Sequence, residues 1–333
     1  MIGGPRSTFR NHAGWFLVTL AVFVLGIICI ACGGGSSMGA VQNPPAAPDA
    51  LGSVVAVTQL PCSQLLGADG GATSGTCYQA TVSCPGVNDE DVGVKVNAPA
   101  GSSLGTVSLQ VGGGGTPWYD QHFVYGTKLV NDLNASGFTA VQFNWGFLPT
   151  GFPQGGTFAG WLTGPGGPRK LACRFATIEK WVHDNTSIHA SNSAFCHSGN
   201  SAGSGVGAYA LAHYGLGSIL NYVEETSGPP FAQIDQGCIC NSPPVQTPCN
   251  PQPLNTCYGT DGNDYIDPAY DPTTHICSSV EANHSTANKS MFINDSLLSS
   301  DATSLIRTPL CTSCSADRTP ARPYPRPCSG KMP

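Results

Sequence analysis

Apolar and polar positions change their period several times along this chain. Residues 76–84, 91–97 and 104–111 (LGTVSLQV) alternate or run apolar between Gly-, Pro- and Asn-containing breaks, the pattern of β-strands. In 121–133 the apolar residues Phe123, Val124, Leu129, Val130 and Leu133 have helical spacing, and Asn134 to Gly137 stop the helix. Residues 138–143 (FTAVQF) predict another strand, and 145–167 a long loop of aromatics and glycines. Residues 168–185 predict a helix, with Pro168 in its first turn and Leu171, Phe175, Ile178 and Val182 on one face. A short strand at 193–197, a helix of small residues at 202–214 and a strand at 218–223 follow. Strands alternating with helices predict an α/β fold, a mostly parallel sheet with helices on both faces. From about 228 to 290 the alternation lapses. Five cysteines and many prolines there predict an insertion held by disulfides.

The N-terminal pattern is different. Arg6 and Arg10 precede an uncharged apolar run at 15–31, the layout of a secretory signal peptide spanning 1–31. A membrane anchor is the rival, since the run sits at the short end of what can span a bilayer. The stretch Ile30-Ala31-Cys32-Gly33-Gly34 resembles a bacterial lipoprotein cleavage site. That resemblance implies lipid on Cys32, with membrane contact only through this lipid or the signal. Residues 32–50 are rich in Gly, Ser, Ala and Pro and read as a flexible tether, so the folded domain is expected over 51–309.

Composition narrows the function. Charged residues are 10% of the 333 and the net charge is −6, which argues against nucleic-acid binding. Of 15 cysteines, two lie in the leader and three (Cys311, Cys314, Cys328) near the C-terminus. The remaining ten are Cys62, Cys77, Cys84, Cys173, Cys196, Cys238, Cys240, Cys249, Cys257 and Cys277. An even set in an exported chain predicts five disulfides, with pairing left open; Cys62 with Cys77 or Cys84 would close a short loop. Their spacing fits no familiar zinc site, and the acidic stretch 261–267 lacks the glycine of an EF-hand, so no metal or cofactor is expected.

The strongest chemical signal is Gly199-Asn200-Ser201-Ala202-Gly203, a G-x-S-x-G between a predicted strand and a predicted helix. A sharp strand-to-helix turn requires small neighbours, which Gly199 and Gly203 supply. The N–H of Ala202, at the helix start, can then meet a developing oxyanion. Earlier, the strand at 104–111 runs into Gly112, Gly113, Gly114 and Gly115, whose backbone can turn N–H groups inward. His197 lies inside the strand before the nucleophile and reads as a packed residue.

These two segments and the elements between them resemble the α/β-hydrolase family over about residues 76–226. The resemblance implies Ser201 as nucleophile of a Ser-His-acid hydrolase, with Gly113, Gly114 and Ala202 around the oxyanion. The family order is serine, acid, histidine. After Ser201 only His213, His275 and His284 remain. His213 reads as structural, and His275 or His284 could serve only if the insertion folds back over the site. Glu224 and Glu225 are weak candidates for the acid. Aromatics at 118, 119, 145, 147, 152, 158 and 161 could line an acyl or aryl pocket.

Where such a fold should enter its next core strand, residues 310–333 carry five prolines, three cysteines and a net charge of +3. Shifting the codon frame by one base turns the Cys-Thr-Ser-Cys-Ser run into an apolar strand followed by an acid. The segment therefore reads as a frameshifted remnant, against a basic Pro-rich extension, with the last strands and the catalytic acid lost. Two functions stay open: an extracytoplasmic, lipid-anchored or secreted serine hydrolase for a small-molecule or polymer ester, and a non-catalytic surface binding lipoprotein on that scaffold.

Overall fold

The computed structural model describes residues 47–302, except 66–70, 146–159 and a few short stretches between 229 and 284. Residues 1–31, where a signal is expected, Cys32, Phe147, Phe152, Phe158, Cys249, His284 and the segment from 303 lie outside the described residues.

Seven strands form one sheet: β1 (Ser53–Leu60), β2 (Thr76–Ser83), β3 (Glu90–Asn97), β4 (Gly105–Gln110), β5 (Phe138–Asn144), β6 (Ala194–Asn200) and β7 (Tyr222–Thr226), in the order β1-β2-β3-β5-β4-β6-β7. Pairings from β1 to β5 are antiparallel, and β5, β4, β6 and β7 are mutually parallel. Hence β2, β5, β4, β6 and β7 all run one way. Four helices accompany the sheet: α1 (Tyr119–His122), α2 (Gly126–Ala135), α3 (Gly167–Asp184) and α4 (Ala202–Ala212). The architecture is α/β, a mostly parallel sheet flanked by helices.

Period-two alternation explains both faces. Val92, Val94 and Val96 of β3, Val141 and Phe143 of β5 and Phe195 of β6 point to one side, where Leu171, Phe175, Ile178 and Val182 of α3 and the small residues of α4 cover them. Leu109 and Ala140 point to the other side, beneath Val130 of α2. That second face also buries Lys95, which pairs with Asp120 at 2.8 Å. Burial alone would raise the Asp120 pKa, but Lys95 and Thr73 outweigh it and hold the carboxyl below its ordinary value.

Among the described residues the insertion after β7 carries four short α-helices: α5 (Ile234–Ile239), α6 (Asp267–Tyr270), α7 (Ile276–Asn283) and α8 (Lys289–Asp295). Disulfides Cys238–Cys277 and Cys240–Cys257 tie it together. Cys62–Cys77 closes the loop between β1 and β2, and Cys84–Cys173 pins the end of β2 to α3.

Several expectations need correction. Cys196 is a free thiol, not a disulfide partner. Alternation along β6 sends it to the face opposite Phe195 and His197, away from the Cys84–Cys173 bond beside α3. The helix expected at 121–133 is two helices, because Gly126 sits against the Tyr119 carbonyl and the chain turns at residues 123–125. The strand expected at 218–223 begins at Tyr222; Leu216–Ser218 is a 3-10 turn, and Asn221 pairs with the backbone of Phe195 to set the β6–β7 register. β1 has no counterpart among the predicted strands. It is an edge strand with most side chains exposed, so no core periodicity marks it.

Candidate active site

The chain leaves β4 toward β5 on one side and leaves β6 toward β7 on the other. Loops after these two adjacent strands therefore diverge at a topological switch point, where open α/β sheets bind ligands. Gly112 to Gly115 follow β4, and Ser201 follows β6.

Ser201 has φ 53° and ψ −121°, a conformation open almost only to glycine. Holding a serine there costs about 1–3 kcal/mol. Its surroundings enforce the turn. The Ser201 N–H donates to the Thr226 carbonyl (2.8 Å), and the Ser201 carbonyl accepts from Ser204 Oγ (2.6 Å) and Gly205 N–H (3.1 Å). A β-carbon on Gly199 would lie 2.6 Å from the Gly203 carbonyl and from Glu225 Oε2. One on Gly203 would lie 2.5 Å from the Val111 carbonyl oxygen. Both glycines thus let α4 start hard against the ends of β4 and β6.

Ala202 opens α4, so its N–H has no acceptor within the helix and carries the positive end of the dipole. Gly112 faces Ser201 directly: a β-carbon there would be 2.8 Å from Ser201 Cβ and 3.4 Å from its Oγ. Gly113, with φ 60°, lines the same cavity as Ser201 and Ala202. Gly114 is not among the lining residues; its carbonyl accepts from Trp161 N–H at 3.2 Å. Trp145 N–H holds the Gly115 carbonyl at 3.0 Å, and its indole donates to Gln110 Oε1 at 3.1 Å, so the glycine turn is clamped from behind.

The cavity has a volume of about 140 Å³, and its wall comes from the insertion: Pro230, Phe231, Tyr258, Tyr265 and Ile266. This corrects the expected pocket. Trp118, Trp145 and Trp161 are fully buried and Tyr119 nearly so, each used in packing, and none lines the cavity. The wall was hidden in the sequence among cysteines and prolines, although Tyr258 follows a disulfide cysteine.

No histidine lines this cavity among the described residues. His275 lies in the insertion, exposed, with Nδ1 3.6 Å from Asp267 Oδ2. The Asp267 carboxylate is occupied at the start of α7, accepting from the N–H groups of Cys277 and Ser278 and from Ser278 Oγ. His213 is buried, and burial lowers its pKa. Glu224 is exposed; Glu225 is turned against Gly199 and Gly207, and burial together with the Glu179 charge raises its pKa well above the ordinary value.

A second serine has the partners that Ser201 lacks among the described residues. Ser108 of β4 donates to Glu179 Oε1 of α3 and lies 2.9 Å from His197 Nδ1, while His197 Nδ1 is 3.1 Å from Glu179. All three side chains are sealed beneath α3. Among the described residues, Cys240, Cys257 and Glu281 gather in metal-ligand range, but the two cysteines are bonded to each other and offer no thiolate.

No protein-family model and no curated protein matches the chain. Solved structures do. The chain is similar to a thermostable carboxyl esterase from Bacillus coagulans, with 14% identity, TM-score 0.34 and coverage of 50% of this chain and 49% of that one. It is similar to an esterase from Pyrobaculum calidifontis at 17% identity and TM-score 0.33, over 82% of this chain and 71% of that one. Brefeldin A esterase, a bacterial homologue of human hormone sensitive lipase, matches at 14% identity and TM-score 0.36, over 87% and 66%. The chain spans about half the length of the Bacillus coagulans enzyme and of Est1E from Butyrivibrio proteoclasticus.

Proposed function

We propose that this chain is an extracytoplasmic serine hydrolase that cleaves esters through an acyl-enzyme on Ser201. The observation that carries the reading is the strained backbone of Ser201 at the mouth of a cavity it shares with Gly113 and Ala202. Strain of this kind persists where the surroundings over-determine it, and it aims the hydroxyl out of the turn. Ser201 Oγ bonds to the ester carbonyl carbon, and the carbonyl oxygen takes the charge near the N–H groups of Gly113 and Ala202. The C–O bond to the alcohol breaks, the hydroxyl proton leaves with the alcohol, and water then frees the acid.

The four disulfides support an oxidising compartment, in keeping with a signal over 1–31 and lipid on Cys32. Among the described residues no histidine lines the cavity to serve as the base. An oxyanion site and binding alone still give about 10³–10⁴-fold acceleration over water.

The test is trapping. Incubation with p-nitrophenyl butyrate, followed by intact and peptide mass analysis, should find a butyryl group on the Ser201 peptide that is absent in Ser201→Ala. Binding of the ester with no acyl adduct would instead favour a binding protein on the same scaffold.

A further inference from the structure

We infer that the disulfide-held insertion makes this site selective for esters of short acyl groups, with Tyr258 and Phe231 setting the limit. The inference rests on the ester-hydrolase reading of Ser201 and adds the class of substrate. A cavity of about 150 Å³ lined by apolar side chains holds a benzene-sized guest. The space in front of Ser201 is about 140 Å³. An acyl chain of up to about six carbons fills it, and a longer one must pass out between the wall residues.

The wall is built to stay in place. Phe231 is buried, with its ring edge-on to Trp161 at 5.9 Å and stacked with Tyr209 at 6.0 Å. Gly205 of α4 comes so close that a β-carbon would lie 2.5 Å from the Phe231 ring. The end of the cavity next to α4 therefore cannot deepen. Tyr258 is the second aromatic ring of the wall. Its hydroxyl donates to the Pro230 carbonyl at 2.9 Å, and its N–H donates to the Gly237 carbonyl at 3.0 Å. Its ring lies across Gly237, where no side chain could fit. Cys240–Cys257, immediately before Tyr258, and Cys238–Cys277 fix both strips of chain that carry these contacts. Two aromatic rings in the cavity wall, one anchored by packing and one by hydrogen bonds and disulfides, leave little room to adapt to chain length.

Alkylphosphonofluoridates test this with a readout that needs no turnover. Ser201 Oγ bonds to phosphorus, fluoride leaves, and the hydroxyl proton passes to solvent, so the alkyl group on phosphorus stands where an acyl chain would. Labelling rates of methyl, butyl and octyl probes are measured by intact mass on the full chain. The rate should rise from methyl to butyl, by up to about fourfold per buried methylene, and drop at least tenfold at octyl. In Tyr258→Ala the octyl rate should recover at least tenfold relative to butyl. Tyr258→Phe keeps the ring and should keep the wild-type ranking, which separates the wall from the loss of one hydrogen bond. Equal labelling by all three probes, or an octyl rate unchanged in a folded Tyr258→Ala, overturns the selectivity while leaving Ser201 as nucleophile. No labelling by any probe overturns the ester-hydrolase reading and the selectivity with it.

Discussion

Ser201 and Ser108 divide between them the features of a catalytic serine. Ser108 has a histidine and a carboxylate within hydrogen-bond reach, yet it is sealed under α3. Its geometry is also wrong for proton relay. Ser108 and Glu179 both crowd His197 Nδ1, whereas a triad places nucleophile and acid on opposite ring nitrogens. His197 Nε2 has no hydrogen-bond partner among the described residues. Ser201 has strain, backbone N–H groups and a cavity, but no histidine at the cavity among the described residues. Partners alone make a polar core contact; the proposed nucleophile is set apart by a strained turn beside the backbone N–H groups of Gly113 and Ala202.

The contrast can be broken most forcefully at Gly112. In Gly112→Ala the new methyl collides with Ser201 Cβ and pushes the glycine turn away from the oxyanion position. Labelling of Ser201 by a small fluorophosphonate should fall by roughly 10²–10³, the cost of one lost oxyanion donor; an unchanged rate would remove Gly112 from the site.

Stability should separate the two serines in opposite directions. Ser201→Gly relieves the positive φ and should stabilise the fold by about 1–3 kcal/mol in urea unfolding, while all labelling is lost. Ser108→Ala strips a buried hydrogen bond from Glu179 and should destabilise it by about 1–3 kcal/mol, with labelling retained. Matching signs in the two variants would mean the strain at Ser201 is not real.

The smallest effect is a pH dependence under the elbow. Burial, then the Glu179 charge, raises the Glu225 pKa in the folded state, so the folded protein binds the extra proton above the ordinary glutamate value of about 4.3. The Glu225 contribution to stability is full below that pH and declines as pH rises toward the folded value. Glu225→Gln should therefore melt higher than wild type at pH 8 and by a smaller margin at pH 4. A margin independent of pH would contradict the burial of a titrating carboxyl here.

Most of the middle of the sheet was legible, because β3, β4, β5 and α3 keep strict two- or 3.6-residue periods over a buried face. The elbow was legible too, since Gly199 and Gly203 at fixed spacing around Ser201 are a steric requirement that sequence displays directly. What could not be read depends on contacts between distant segments. Phe231, Tyr258, Tyr265 and Ile266 reach the site only because two disulfides fold the insertion back, and no periodicity records that. The pairing of Cys84 with Cys173 spans 89 residues and follows from β2 lying beside α3. Ser108, Glu179 and His197 look like isolated polar residues within apolar elements until the sheet order brings β4 and β6 side by side.

Peptide mapping of a small fluorophosphonate adduct tests the central claim most directly. Wild type and Ser108→Ala should each carry one adduct on the Ser201 peptide, and Ser201→Ala none. An adduct on the Ser108 peptide, or labelling that survives Ser201→Ala, would contradict the assignment of Ser201 as the nucleophile.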